Sequence, residues 1–181
     1  MASGGKSIVL VGLMGAGKSR VGLELSRLMK LSFLDVDREI ERVAGMKIPD
    51  IFERLGEAEF RKGERKVLLR LLDEDRRVLA AGGGAFIQPD IREAVKAKAV
   101  SVWLKANLET LVERTSRSNN RPLLRGADRT EKLRELMEVR YPVYAEADIT
   151  VVTDEQPPAE MARRILQELK SFEKDVVRNN D

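Results

Sequence analysis

Residues 12–19 read Gly12-Leu13-Met14-Gly15-Ala16-Gly17-Lys18-Ser19, the spacing G-x-x-x-x-G-K-S. Glycines at these positions let successive backbone N–H groups turn toward one anion. A lysine and a hydroxyl at the end of the loop suit a nucleoside triphosphate with Mg²⁺. The run 8–11 before it, Ile-Val-Leu-Val, reads as a buried parallel strand. Helical spacing follows at once, with Val21, Leu25, Leu28 and Met29 on one face. A strand, this loop and a helix in that order set the start of an α/β fold, and the helix aims its N-terminus at the bound anion.

The rest of the chain keeps the same alternation. Strands are expected at 33–37, 78–81, 99–104 and 149–152. Helices are expected at 48–52, 57–72, from Pro89, at 108–114 and at 158–169. The 181 residues suit one domain, and an apolar share of 43% supports a core. The expected architecture is an α/β three-layer fold: a central five-stranded parallel sheet flanked by helices, with a mobile lid and a frayed tail over 173–181. The lid is placed at 114–128, a polar, Arg-containing stretch longer than ordinary connections.

With no cysteine and no histidine, disulfides, thiolate chemistry and imidazole catalysis are excluded, leaving a carboxylate, Lys, Tyr or water as the general base. A net charge of +3, without a basic block, argues against nucleic acid and suits an anionic small substrate. The opening residues lack the apolar core of a signal peptide, and no run is long enough to span a membrane, so the expectation is a cytoplasmic protein. No exposed apolar heptad is seen, and the expectation is a monomer.

Several residues outside the loop point to a second ligand. Asp35 and Asp37, two apart on the expected strand, would share the face that opens on the crevice. One could hold Mg²⁺ and the other orient or deprotonate a hydroxyl; alternatively Asp37 caps a helix beginning at Arg38. Glu64 falls on the apolar stripe Phe60, Val67, Leu68, Leu71, Leu72, with Arg61 three residues before it. That pair is either structural or holds the arginine fork toward a substrate carboxylate. Arg140 continues the apolar face of Leu133, Leu136 and Met137 before Tyr141-Pro142, which is expected to disturb the helix; it either faces the site or snorkels to water. Gly82-Gly83-Gly84 ends the third strand and allows close approach of a ligand, or a sharp turn.

In this order these segments, with Arg121-Pro122-Leu123-Leu124, resemble the shikimate kinase family over about 8–169. The resemblance implies a P-loop, nucleoside-monophosphate-kinase-like fold and transfer of the ATP γ-phosphoryl group to the 3-hydroxyl of shikimate, in aromatic amino acid biosynthesis. It implies Lys18, Asp37 and Arg121 as catalytic residues. Gly15, Ala16, Gly17, Lys18, Ser19, Arg20, Arg114, Arg121 and Pro158 would bind ATP, with Arg114 stacked on adenine. Asp37, Arg61, Gly83, Gly84 and Arg140 would bind shikimate, with Glu64 holding Arg61. Ser19 and Asp35 would hold Mg²⁺. A kinase for gluconate or a nucleotide, and a non-catalytic nucleotide-binding protein on the same scaffold, are the competing readings.

Overall fold

In the computed structural model, residues 5–117, 124, 128–153 and 155–179 are described. Five strands form one parallel sheet: β1 (Ser7–Val11), β2 (Ser32–Asp35), β3 (Arg77–Ala80), β4 (Ala99–Lys105) and β5 (Ile149–Val152). Their order is β2-β3-β1-β4-β5. The central position of β1 explains its unbroken β-branched and leucine run, since every residue of it is buried. It pairs with β3 through Ile8, Val9 and Leu10 and with β4 from Ser7 to Val11.

Seven helices flank the sheet: α1 (Lys18–Met29), α2 (Val36–Ala44), α3 (Ile48–Asp73), α4 (Pro89–Lys98), α5 (Leu108–Ser116), α6 (Arg129–Tyr144) and α7 (Pro158–Arg178). α1 packs against α7, and α3 against α4. On α1 the buried face is Val21, Gly22, Leu25 and Ser26, whereas Leu28 is exposed. The stripe Phe60, Val67, Leu68, Leu71 and Leu72 is buried as its spacing predicts.

Four expectations need correction. The second strand stops at Asp35 and does not reach residue 37, because the Asp35 carboxylate accepts from the backbone N–H of Asp37 (3.0 Å) and Arg38 (3.4 Å) and starts α2 at Val36. Asp35 and Asp37 therefore do not share a strand face. The two helices expected at 48–52 and 57–72 are joined in α3 across a kink at Gly56, whose φ of 84° only glycine adopts cheaply. α6 continues to Tyr144 with Pro142 inside it, so the helix forgoes the one backbone bond that residue 142 would donate and is not ended there. α7 runs on to Arg178, so residues 173–178 are helical.

The strands' carboxyl ends meet on one side of the sheet. The phosphate loop leaves β1, Asp35 closes β2, and Gly82 to Gly84 follow β3. Thr153 follows β5 with its N–H bonded to the Lys105 carbonyl at the end of β4 (2.8 Å). Ligands of open parallel sheets bind at this edge.

Candidate functional site

A cleft of about 1560 Å³ runs along that edge. One wall is the phosphate loop. Gly15 (φ 85°) and Gly17 (φ 94°) take left-handed backbone conformations, and Gly17 caps α1. Lys18 donates from Nζ to the carbonyls of Gly12 (2.7 Å) and Leu13 (3.0 Å), which folds its stem over the loop. Ser19 Oγ lies 2.5 Å from Asp35 Oδ2. A hydroxyl and a carboxylate at the rim of a phosphate cradle are the hard oxygen donors that Mg²⁺ takes, with its remaining positions left to phosphates and water.

Arg114 lines the cleft, and it is not merely exposed at a helix end. Its Nη1 donates to the carbonyls of Gly15 (3.3 Å) and Ala16 (3.2 Å), bracing the phosphate loop from α5. Arg20 and Pro158 line the same cleft, the latter at the first position of α7. Arg121, with most of the expected lid, falls outside the described residues.

The opposite wall carries the charged residues that the apolar patterns marked. Glu64 is wholly buried, and its Oε1 accepts from Arg61 Nη1 (2.9 Å) and Gln88 Nε2 (2.9 Å). Burial pushes its carboxyl up, against the pull of Arg61 and with help from the Asp37 charge. Arg61 also meets Glu57 (3.3 Å) and lies over the Phe60 ring. Arg140 is buried, at 7% exposure, so it does not snorkel to water; its Nη1 has no hydrogen-bond partner among the described residues.

The triple glycine joins these side chains. They lie in a turn closed by the Ala85 N–H on the Gly82 carbonyl (3.1 Å), but none of the three has a positive φ, so the turn is not what requires glycine. Clearance is. A Cβ on Gly82 would sit 2.7 Å from Glu64 Oε2 and 2.9 Å from Asp37 Oδ1. On Gly83 it would sit 3.1 Å from Arg140 Nη1, and on Gly84 2.4 Å from Arg61 Cζ. The glycines thus let two carboxylates and two guanidinium groups converge on one stretch of backbone.

Some contributors are absent from the sequence reading. Tyr144, fully buried, donates its hydroxyl to the Gly83 carbonyl and interacts with Arg140; burial pushes its pKa up to about 12. Its place four residues after Arg140 on one helix face was the available signal. Arg117 and Thr153 also line the cleft, and the Thr153 hydroxyl is buried without a partner among the described residues. Gln88 gave no signal beyond preceding Pro89.

A parallel sheet of this order, a phosphate loop after its first strand and a charged acceptor wall facing that loop define a P-loop kinase of small molecules. A family model described as shikimate kinase matches residues 14–170. The chain is 53% identical over 165 residues to shikimate kinase from Caulobacter vibrioides, covering 91% of this chain and 82% of that one. Its structure matches shikimate kinase from Acinetobacter baumannii in complex with shikimate at a TM-score of 0.91 and 43% identity, over 93% and 94% of the two chains. A gluconokinase from Sinorhizobium meliloti, at 20% identity and a TM-score of 0.58, shares the fold alone. The chain belongs to the shikimate kinase family, ATP-dependent enzymes that phosphorylate a shikimate hydroxyl.

Proposed function

We propose that the two walls of the cleft divide the reaction: the phosphate loop holds ATP, and the wall of Asp37, Arg61 and Arg140 holds shikimate. The γ-phosphoryl group then passes to the 3-hydroxyl, giving shikimate 3-phosphate and ADP. The observation that carries this reading is Arg140. A buried guanidinium nitrogen with no partner, placed against Gly83, calls for an anionic acceptor, and a carboxylate satisfies it. Arg61 holds the other side of that carboxylate, while Glu64 keeps its fork in place. The backbone N–H groups of Gly83 and Gly84 border the same pocket.

Asp37 orients the 3-hydroxyl and accepts its proton at a carboxylate oxygen. The hydroxyl oxygen bonds to the γ-phosphorus as the bond to the bridging oxygen breaks, and ADP leaves. Lys18, with Arg121 of the lid, neutralises charge on the transferring group. The amides of Gly15, Ala16 and Gly17 and the side chain of Arg20 border the phosphates, and Arg114 and Pro158 border the base. Ser19 and Asp35 would hold Mg²⁺, which would offset phosphate charge. Among the described residues no group of three or more acidic side chains gathers to cage a metal, which suits an ion shared with substrate phosphates. No helix of the described chain is long and apolar enough to cross a membrane. We place the enzyme in the cytoplasm as a monomer, with no nucleic acid partner.

An ADP-release assay with shikimate, gluconate and nucleoside monophosphates as acceptors tests the assignment. Turnover is expected with shikimate alone. Turnover with another acceptor and none with shikimate rejects the assignment.

A further inference from the structure

Gln88 occupies the N-cap of α4, followed by Pro89 at the first helical position. Caps favour Ser, Thr, Asp or Asn, whose short side chains reach back to the helix N–H groups. Gln88 makes no such bond. Its Nε2 instead crosses to Glu64 Oε1, the same oxygen that receives Arg61. Two donors therefore load one oxygen of a wholly buried carboxylate, and the other, Oε2, has no hydrogen-bond partner among the described residues. That second oxygen faces Gly82 alongside Asp37. The arrangement has a direction: with Oε1 pinned from α4, the carboxylate cannot rotate to give both oxygens to Arg61, so the rest of the Arg61 fork stays beside Gly84 and the cleft.

We infer that Gln88 is a positioning residue for acceptor binding, acting through Glu64 to hold the Arg61 fork toward the substrate carboxylate. This rests on the reading of Arg61 as a carboxylate-holding residue. Gln88 touches no substrate, because it does not line the cleft. It ties the start of α4 to the middle of α3 across 24 residues of sequence, so that the glycine segment and Arg61 keep one spacing. Without its donor, Glu64 is a buried carboxylate with one partner fewer, free to turn toward Arg61 and draw the fork away from the cleft.

The test compares full-length Gln88→Leu, Gln88→Glu and Arg61→Ala in steady-state kinetics, with the KM values for shikimate and ATP measured separately and a thermal melt on each variant. Gln88→Leu keeps bulk and removes the donor. Its shikimate KM is expected to rise about fivefold to tenfold, with kcat and the ATP KM within about twofold of wild type. Gln88→Glu puts a second carboxyl against Glu64, where one of the two must carry a proton to act as donor. Its shikimate KM is expected to climb with rising pH much more steeply than that of wild type. The groups that face Glu64 in either protein are the same: Arg61 on its own helix, Asp37 from α2 and Arg140 from α6. A purely structural role would lower kcat and the melting point and raise the ATP KM together, and that pattern overturns the inference. So does an unchanged shikimate KM in Gln88→Leu while Arg61→Ala raises it. If Arg61→Ala leaves the shikimate KM unchanged, the reading of Arg61 fails first, and the inference falls with it.

Discussion

Asp35 and Asp37 stand two apart, yet their surroundings assign them different chemistry. Asp35 spends one oxygen on the amides that start α2 and turns the other to Ser19. Asp37, the second residue of α2, faces Gly82 and Glu64. Asp37→Asn keeps the size and removes the base, so turnover is expected to fall at least about a hundredfold while ATP binding, followed by calorimetry, is nearly unchanged. Gly84→Ala is the complementary case. Its new methyl would meet the far end of the Arg61 side chain, which can swing away, so the fold is expected to tolerate it. The shifted guanidinium no longer meets the substrate, and the shikimate KM is expected to rise about tenfold or more with the melting point little changed. The sequence marked Glu64 and Arg140 because charge on an apolar stripe is costly unless something meets it, Arg61 by its spacing from Glu64, and Asp37 by its spacing from Asp35. It did not mark Gln88 or Tyr144, whose residue types and neighbours look ordinary along the chain.

Among the elements, α3 does most to shape the acceptor wall. Its kink at Gly56 brings Phe52 back onto Phe60, with ring centroids 4.7 Å apart, and places Arg61 a little over one turn beyond the bend. The periodicity on either side of Gly56 was readable; the bend was not, because a left-handed glycine leaves no mark in a hydrophobic pattern. α2 is anchored to α3 by Glu39, which accepts from Arg42 Nε (2.8 Å) and from Arg70 Nη2 (2.5 Å). The hydrogen bond from Arg42 leads, with Arg70 adding to it against the cost of burial, and together they lower the Glu39 pKa from 4.5 to about 2. A depressed carboxyl stabilises the fold above its unfolded pKa, and that stabilisation is lost as pH falls from about 4.5 through about 2. Glu39→Gln is therefore expected to melt lower than wild type at neutral pH, with the difference shrinking across that acid window in a pH series of thermal melts. Glu64 has the opposite sign: its pKa is raised, so the stability tied to its protonated form is present below 4.5 and lost as pH rises through its folded value.

At the scale of the molecule, the proposed assignment seats both ligands in a cleft that exists only in the folded chain, so either ligand would bind the folded chain and not the unfolded one. Each is expected to raise the melting temperature by mass action, with about 2.7 kcal/mol gained at a hundredfold excess over its Kd. ATP with Mg²⁺ should shift wild type and Arg140→Ala alike, whereas shikimate should shift wild type and lose most of its effect in Arg140→Ala. An equal shikimate shift in both proteins would show that Arg140 does not bind the acceptor.

The sequence by itself determined the five-strand α/β alternation, the phosphate loop and the identity of the charged residues on the acceptor wall. These are local properties: the loop needs contiguous glycines, a lysine and a hydroxyl, and the charges betray themselves against the periodicity of their own helices. Only the tertiary structure decided how those residues are aimed. Gln88 reaches Glu64 across 24 positions, and Tyr144 reaches the Gly83 carbonyl across 61. Why the turn at Gly82 to Gly84 needs glycines, which aspartate caps α2, and where Arg114 rests are likewise settled by atoms from distant elements meeting at the sheet edge. Such contacts depend on three-dimensional clearance and on which carboxylate oxygen is already loaded, and no spacing along one strand or helix encodes either.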